Sequence, residues 1–167
     1  PVGNTFARWT GAHPDGPPIA SGSHIDAIPN AGRFDGTVGV LGAIEAVRAL
    51  RRSGFRPRAS IDVVIFTAEE PTRFGLGCLG SRLLCSALDP VAADALKDSE
   101  GRGLAEVRTA AGLTGPLSAV ALRSGAYAAF VELHIEQGPL LEQGGLDIGV
   151  VTAIAAPASL RAHIDGE

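Results

Sequence analysis

The 167-residue sequence lacks the features that mark membrane and nucleic-acid-binding proteins. No stretch approaches the roughly 18 consecutive apolar residues of a membrane-spanning helix, so we expect no membrane association. The chain has no run of lysine or arginine, and its net charge of −4 provides no basic surface for nucleic acid. The partner that remains to be expected is a small molecule or another protein.

The sequence also lacks a disulfide framework, since it contains only Cys78 and Cys85. Their spacing places both on similar faces of one predicted helix, and we interpret them as ordinary core thiols. Residues 1–4 resemble neither a signal peptide nor a translation start. At the other end, the last predicted strand stops at residues 165–167 without a closing helix. We therefore expect a fragment whose natural N-terminus is missing, and we expect a cytoplasmic location.

The elements that are present predict an α/β fold. With 46% hydrophobic and 19% charged residues, the chain can bury one sizeable core. Nearly continuous β-branched and aromatic residues predict a buried strand at 60–67, and helical spacing of apolar residues predicts a helix at 39–52. The other predicted elements are strands at 19–22, 126–133, 148–154 and 159–164, a helix at 76–88, and short helices and turns within 89–123. Strand, helix, strand order predicts a parallel, doubly wound sheet.

Two motifs follow the first predicted strand, at the edge where open α/β sheets bind ligands. Asp26 comes two residues after His24, so its carboxylate could accept the second ring N–H of His24 and fix the tautomer for metal binding. Asp35 lies close to glycines before the next helix, where its two oxygens could bridge two metal ions. A surface histidine and a helix-capping aspartate are the alternative interpretations.

Two further motifs follow later strands. Glu69 and Glu70 come directly after the strand at 60–67. Adjacent side chains at a strand end point in different directions, so one can bind a metal ion while the other acts as a general base. A solvated acidic turn is the alternative in isolation. His134 follows the strand at 126–133 and offers a second imidazole, although a lone histidine at such a position is more often structural. All four motifs together supply the mixed nitrogen and oxygen ligands that two-metal hydrolases place around ions about 3.5–4 Å apart.

Written out, the four motifs are Gly22-Ser23-His24-Ile25-Asp26, Gly32-Arg33-Phe34-Asp35-Gly36, Glu69-Glu70-Pro71-Thr72-Arg73-Phe74-Gly75, and Glu132-Leu133-His134-Ile135-Glu136-Gln137-Gly138-Pro139. In this order they resemble the hydantoinase/carbamoylase family, a branch of the aminopeptidase-like two-metal hydrolases. That family includes N-carbamoyl-L-amino acid hydrolases, allantoate amidohydrolases and ureidoglycolate amidohydrolases. The resemblance extends over nearly the whole chain and implies a doubly wound mixed sheet, present here as a fragment.

The resemblance implies a role for each motif. His24 and His134 would bind one divalent metal ion, Asp35 would bridge two, and Glu70 would bind the second. Glu69 would be the general base, Asp26 would orient His24, and Gln137 would lie in the substrate pocket. Zinc and manganese both fit these ligands. The family supplies a further histidine to the second ion from the C-terminal part of its catalytic domain, and His163 is not its equivalent.

The same resemblance implies the domain organisation. Residues 1–167 would be the N-terminal part of the catalytic domain, without the inserted dimerisation domain and the C-terminal part. The full-length protein would be a homodimer. Its reaction would be hydrolysis of a ureido or carbamoyl C–N bond in a small molecule, with release of ammonia.

The sequences of three segments, 23–29, 69–75 and 147–159, are each close to those of the ureidoglycolate enzymes of this family. The resemblance therefore favours ureidoglycolate as the substrate. Allantoate and N-carbamoyl-L-amino acids are the alternatives. Thr72 and Arg73 offer a hydroxyl and a guanidinium to a small carboxylate, although Arg73 could equally be a structural clamp on the acidic site. A non-catalytic metal-binding or interaction module is the alternative from another class, disfavoured by Glu69 beside Glu70. A peptidase of the same fold is disfavoured by His134.

Overall fold

The computed structural model describes residues 1–154, 162–164 and 166. The chain forms two compact units, Pro1–Ile135 and Glu136–Glu167. The longest described helix has 16 residues. No helix among the described residues combines the length and the apolar character needed to cross a bilayer.

The first unit is built on a four-stranded mixed sheet with the order β1-β3-β2-β4. The strands are β1 (Thr5–Trp9), β2 (Ile19–His24), β3 (Ile61–Phe66) and β4 (Ala129–Val131). Strand β2 pairs in parallel with both β3 and β4, whereas β1 pairs antiparallel with β3 at the edge. The carboxyl ends of β2, β3 and β4 therefore lie at the same edge of the sheet. The residues of the four motifs lie at or just after these strand ends.

The predicted α/β architecture is confirmed, and the mixed sheet implied by the resemblance is confirmed with it. The parallel pairing expected from strand, helix, strand order is confirmed for β2, β3 and β4. Strand β1, which was not predicted, adds the antiparallel edge that makes the sheet mixed. The side chains of β1 are mostly exposed, so its sequence carries no burial signal. Its strand character comes from antiparallel pairing with the buried strand β3.

The helices of the first unit are α1 (Thr37–Arg52), α2 (Leu79–Leu84), α3 (Pro90–Asp94) and α4 (Leu104–Ala110), followed by a 3₁₀ turn at Leu117–Val120. Helix α1 connects β2 to β3 and ends with Arg51 and Arg52, whose charges are favourable near a helix C-terminus. The predicted helix at 76–88 is shorter than expected, because residues 76–78 belong to the turn that follows β3. The second unit contains α5 (Leu140–Gly144).

A cluster of buried apolar side chains packs α2, α3, α4 and the 3₁₀ turn together. Its buried members are Val2, Leu79, Leu83, Leu84, Ala93, Leu104, Leu117 and Val120. Phe66, at the end of β3, and Ala68, in the turn after it, pack against this cluster. The cluster thus supports the turn that carries Glu69 and Glu70.

A buried carboxylate on β3, that of Asp62, forms hydrogen bonds to residues on or next to both edge strands of the sheet. Asp62 on β3 is 2% exposed and accepts two hydrogen bonds of 2.7 Å from the guanidinium of Arg8 on β1. It also accepts a hydrogen bond of 2.9 Å from the hydroxyl of Tyr127, just before β4. Burial, and then the bond to Asp62, raises the pKa of Tyr127 to about 12. These contacts join the two edge strands to the central strand β3.

Two expectations about elements are corrected by the structure. Residues 148–154 form no strand, and their apolar side chains are exposed, because they pair with no neighbouring strand among the described residues. Of the predicted strand at 159–164, residues 159–161 lie outside the described part of the chain, and residues 162–164, including His163, are not in a strand.

The two cysteines also differ from expectation. Cys78 directly precedes α2 and is half-buried, whereas Cys85 directly follows α2 and is exposed. Both thiols are free. The interpretation as core thiols is therefore wrong for Cys85, because α2 ends one residue before it and the chain turns out to the surface.

Candidate active site

Two imidazoles and a carboxylate converge at the carboxyl edge of the sheet. His24 is the last residue of β2, His134 follows β4, and Asp35 precedes α1. The Oδ1 atom of Asp35 lies 3.9 Å from Nε2 of His24 and 3.8 Å from Nε2 of His134. Because Zn–N and Zn–O bonds are about 2 Å long, ligand atoms of one ion lie no more than about 4 Å apart. Each imidazole is therefore close enough to Asp35 to share a metal ion with it.

Glu70 extends this group to a second set of ligands. His24, Asp35 and Glu70 each offer one ligand atom, and these atoms all lie within 4.8 Å of one another. Burial raises the pKa of Glu70, and the nearby charges of Glu69 and Asp35 raise it further. A divalent cation would offset both effects, since it stabilises the ionised carboxylates that bind it. The donor set, two imidazole nitrogens with carboxylate oxygens, suits such a cation.

Backbone carbonyls orient both imidazoles. Nδ1 of His24 lies 2.9 Å from the carbonyl oxygen of Asp26, and Nδ1 of His134 lies 2.6 Å from the carbonyl oxygen of Ile135. These contacts assign the ring proton to Nδ1 in each case, which leaves both Nε2 atoms, each within 4 Å of Asp35, able to accept a metal ion.

The carboxylate of Asp26 has a different partner from the one expected. It lies 3.6 Å from Nδ1 of His24, beyond hydrogen-bond distance, and accepts the backbone N–H groups of Glu69 at 3.3 Å and Glu70 at 2.9 Å. The expected contact of this carboxylate with the imidazole is therefore corrected. Asp26 orients His24 through its carbonyl group and holds the Glu69-Glu70 turn through its side chain.

The turn that carries Glu69 and Glu70 is also held from the side of α2. The backbone N–H of Cys78 donates to the carbonyl of Glu69 at 2.6 Å, and the N–H of Leu79 donates to the carbonyl of Ala68 at 2.9 Å. The Oε2 atom of Glu69 lies 3.6 Å from Nε2 of His24. Glu69 thus borders the group formed by His24, Asp35 and Glu70 without being a member of it.

Three residues were predicted to bind substrate, namely Thr72, Arg73 and Gln137, and each has contacts or a position that the sequence did not indicate. Arg73 donates from Nε to Oδ2 of Asp98 at 3.1 Å, so its partner lies in the segment between α3 and α4 and not in the acidic site. Thr72 is exposed, and its backbone N–H donates to the carbonyl of Glu70 at 2.8 Å. Gln137 belongs to the second unit and has a positive φ of 55°. Binding of substrate by these three residues stays a prediction.

Two polar residues of the motifs have roles that the sequence did not indicate. The Oγ atom of Ser23, on β2, donates to Oε1 of Glu132 at 2.5 Å. Because Glu132 comes two residues before His134, this bond ties the segment that carries His134 to the strand that carries His24. Both residues stand inside recognised motifs, but their pairing depends on β2 lying beside β4, which spacing along the chain does not reveal.

Known proteins resemble this chain in sequence and in fold. A family model described as Peptidase family M20/M25/M40 matches residues 20–166. The chain belongs to this family. Members of the M20 family are typically metal-dependent, which agrees with the ligand group at the carboxyl edge of the sheet.

Relatives within the M20 family include amidohydrolases. The chain is 55% identical to a ureidoglycolate hydrolase of Arabidopsis thaliana, with 99% of this chain and 36% of that protein covered. It is 41% identical to an N-carbamoyl-L-amino-acid amidohydrolase of Paenarthrobacter aurescens, covering 99% of this chain and 40% of the relative. The chain thus spans about 36% to 40% of the length of these relatives.

Solved structures agree with the M20 assignment. The crystal structure of AtUAH in complex with (S)-hydroxyglycine matches with a TM-score of 0.82 and 51% identity, covering 87% of this chain and 36% of that one. A hydantoinase/carbamoylase family amidase from Burkholderia ambifaria matches with a TM-score of 0.78 and 41% identity, covering 86% and 35%. The resemblance to the hydantoinase/carbamoylase family that the four motifs indicated is confirmed.

Replacement of Gly36 by alanine in this M20 site is expected to weaken metal binding and lower thermal stability. Gly36 has a φ of 65°, where an L side chain costs roughly 1–2 kcal/mol. An added Cβ would lie 2.5 Å from Nδ1 and Cε1 of the His24 ring, so the ligand must move. Thermal unfolding and titration with a divalent metal ion measure the two effects.

Gly32→Ala is the matched control. Gly32 also has a positive φ, of 86°, but an added Cβ there would meet nothing within 4 Å. It should therefore show the conformational cost alone, with the metal affinity of the wild type. Equal metal affinities for Gly36→Ala and Gly32→Ala would show that Gly36 does not position His24.

Proposed function

We propose that this chain is the metal-binding part of an M20-family amidohydrolase that cleaves a ureido C–N bond and releases ammonia, with ureidoglycolate as substrate. The observation that carries the proposal is the convergence of His24, Asp35, Glu70 and His134 beside Glu69. The substrate is supported by 55% identity to a ureidoglycolate hydrolase over 99% of the chain.

The ligand group is suited to two divalent ions. His24 and His134 would hold one ion, Glu70 would hold the second, and Asp35 would bridge both. Two imidazole nitrogens favour zinc, while the oxygen-rich bridge also accommodates manganese. When bound, the ions supply Lewis acidity that lowers the pKa of a water molecule and stabilises negative charge on the substrate oxygen.

Glu69 carries the proton transfers. Its Oε2 atom, on the side of His24, takes a proton from the attacking water and later delivers a proton to the leaving nitrogen. The turn that presents it is fixed by the carboxylate of Asp26 and by backbone hydrogen bonds to the start of α2. Hydrolysis of the ureido group by one water in this way gives ammonia and a carbamate, which breaks down to carbon dioxide and the amine.

We infer that the active enzyme is a longer protein of which this chain is one part. The chain spans 36% of the ureidoglycolate hydrolase it matches, so residues 1–167 would form the N-terminal part of a catalytic domain. An inserted dimerisation domain and the rest of the catalytic domain would complete a homodimer. The second ion has only Asp35 and Glu70 as ligands in the proposed set, and the remaining catalytic segment would supply another. The chain alone is therefore expected to have little activity.

The full-length protein, supplied with manganese or zinc, is expected to release ammonia from ureidoglycolate with a higher kcat/KM than from allantoate or N-carbamoyl-L-amino acids. A coupled ammonia assay on the three substrate classes measures the preference, and the metal-free protein is its control. Preference for a carbamoyl amino acid would overturn the substrate while leaving the metal site intact.

The same assay separates the alternatives from other classes. A non-catalytic module would release no ammonia from any of the three substrates at any metal concentration. A peptidase would release amino acids from dipeptides and leave ureido compounds unchanged. The N-carbamoyl-L-amino acid hydrolases remain the second candidate, because relatives with that activity in their name are 41% and 44% identical over 99% of the chain.

A further inference from the structure

The side chain of Cys78 contacts the proposed general base. Its Sγ atom lies 3.2 Å from Oε1 of Glu69, while the other oxygen of Glu69, Oε2, lies 3.6 Å from Nε2 of His24. The backbone N–H of Cys78 also donates to the carbonyl of the same glutamate at 2.6 Å. One residue therefore holds both the main chain and one carboxylate oxygen of Glu69.

The backbone conformation of Cys78 is unusual for a residue with a side chain. It has a φ of 57° and a ψ of 30°, which is the left-handed region, at the position directly before α2. Glycine adopts this conformation without steric cost, whereas other residues pay for it in conformational strain. A cysteine here keeps the backbone bond to Glu69, which any residue except proline could provide, and adds the thiol contact, which glycine could not.

The thiol acts as the donor in this contact. Cys78 is half-buried, and burial together with the neighbouring Glu69 carboxylate raises the pKa of its thiol to about 11. The S–H group therefore keeps its proton at neutral pH and donates to Oε1. Because S–H is a weak donor, it can fix the orientation of the carboxylate without strongly reducing its basicity.

We propose that Cys78 is a positioning residue for Glu69, whose S–H holds Oε1 so that Oε2 remains directed towards His24 and the attacking water. The inference rests on the proposed function, because the orientation of Glu69 matters only if Glu69 moves the proton. A glutamate side chain has three rotatable bonds, so loss of this contact lowers the fraction of molecules in which Oε2 points to the reacting water. The metal ligands are untouched, so substrate and metal binding should persist.

Three variants of the full-length protein test the role of Cys78. Cys78→Ala removes the donor and is expected to lower kcat about three- to tenfold, with unchanged KM and metal content. Cys78→Ser keeps a hydroxyl donor at the same position and is expected to recover at least half of the wild-type kcat. Cys85→Ala, at the exposed cysteine on the other end of α2, is the matched control and should equal the wild type.

The outcomes separate positioning from packing. Wild-type kcat in Cys78→Ala, or a Cys78→Ser variant as slow as Cys78→Ala, overturns the proposal. A fall in metal content or a rise in KM that accounts for the whole loss also overturns it, since either would show a structural role. If Cys78→Ala does not fold, the serine variant decides alone, and a kcat at least tenfold below the wild type contradicts the role.

Failure of the proposed function would be visible separately in the same assay. If the wild-type protein releases no ammonia from any ureido compound, the proposed function fails and the role of Cys78 falls with it. If the wild type and Cys85→Ala release ammonia and Cys78→Ala does so at the same rate, only the role of Cys78 is overturned.

Discussion

The Glu69→Gln variant of the full-length protein is expected to lose about 10²–10⁴-fold in kcat while keeping its metal ions. Glutamine preserves the shape of the side chain but cannot accept the proton of the attacking water. Glu69 also lies at the margin of the ligand group, with Oε2 3.6 Å from His24, so its neutralisation should leave metal binding intact. Ammonia release and elemental analysis of the purified protein measure the two properties.

Glu70→Gln is the matched comparison, because it makes the same chemical change at the neighbouring residue. Its carboxylate belongs to the cluster of ligand atoms within 4.8 Å, so this variant is expected to lose the second metal ion along with activity. Loss of metal from Glu69→Gln with full occupancy in Glu70→Gln would reverse the two assignments.

The Asp35→Asn variant is expected to have the largest effect on metal binding. One carboxylate oxygen of Asp35 lies within 4 Å of both His24 and His134, and the same residue is grouped with Glu70. Asparagine keeps one oxygen but lacks the negative charge and the second carboxylate oxygen, so it is a poor bridge between the two ions. Even residues that only support a ligand change metal affinity by about 10–100-fold, so we expect at least that loss here, together with loss of ammonia release.

Asp15→Asn is a suitable control for this variant. Asp15 is exposed in the loop before β2, at the opposite end of that strand from His24, and the substitution changes the net charge by the same amount. Calorimetric titration with manganese should give the wild-type affinity for Asp15→Asn. Wild-type affinity in Asp35→Asn as well would contradict the role of Asp35 as a bridging ligand.

Elements with strong local signals could be predicted from the sequence. Strand β3 was indicated by its run of β-branched and aromatic residues, and helix α1 by apolar residues at helical spacing, with errors of at most two residues at their ends. Strand β1 and the absence of strands at 148–154 could not be predicted in this way. Both depend on whether a partner strand lies alongside, which is a property of the fold and not of the segment.

In the candidate site, too, some features could be predicted from local sequence, while others depend on the fold. His24, Asp35, Glu70 and His134 could be placed together because each follows a strand or precedes a helix at the same edge of the sheet. The partner of Asp26 could not, because its carboxylate reaches backbone N–H groups of Glu69 and Glu70, which lie 43 and 44 residues further along the chain. Proximity in sequence suggested the imidazole instead.

The contact between Cys78 and Glu69 is the clearest example of a feature that could not be predicted from the sequence. The two residues are nine positions apart, and the turn between them brings the start of α2 back against the end of β3. Cys78 lies outside the four motifs and inside the helix predicted at 76–88, so its sequence position indicated only a core thiol. The positive φ and the thiol contact become apparent once the backbone is known.

Anomalous diffraction from crystals of the full-length protein grown with manganese tests the central claim most directly. The account predicts two metal peaks about 3.5–4 Å apart, with Asp35 between them, His24 and His134 bound to one, and Glu70 bound to the other. Glu69 should bind neither ion and should face a water molecule between them. Peaks outside the reach of Asp35, or a metal ligated by Glu69 in place of Glu70, would contradict it.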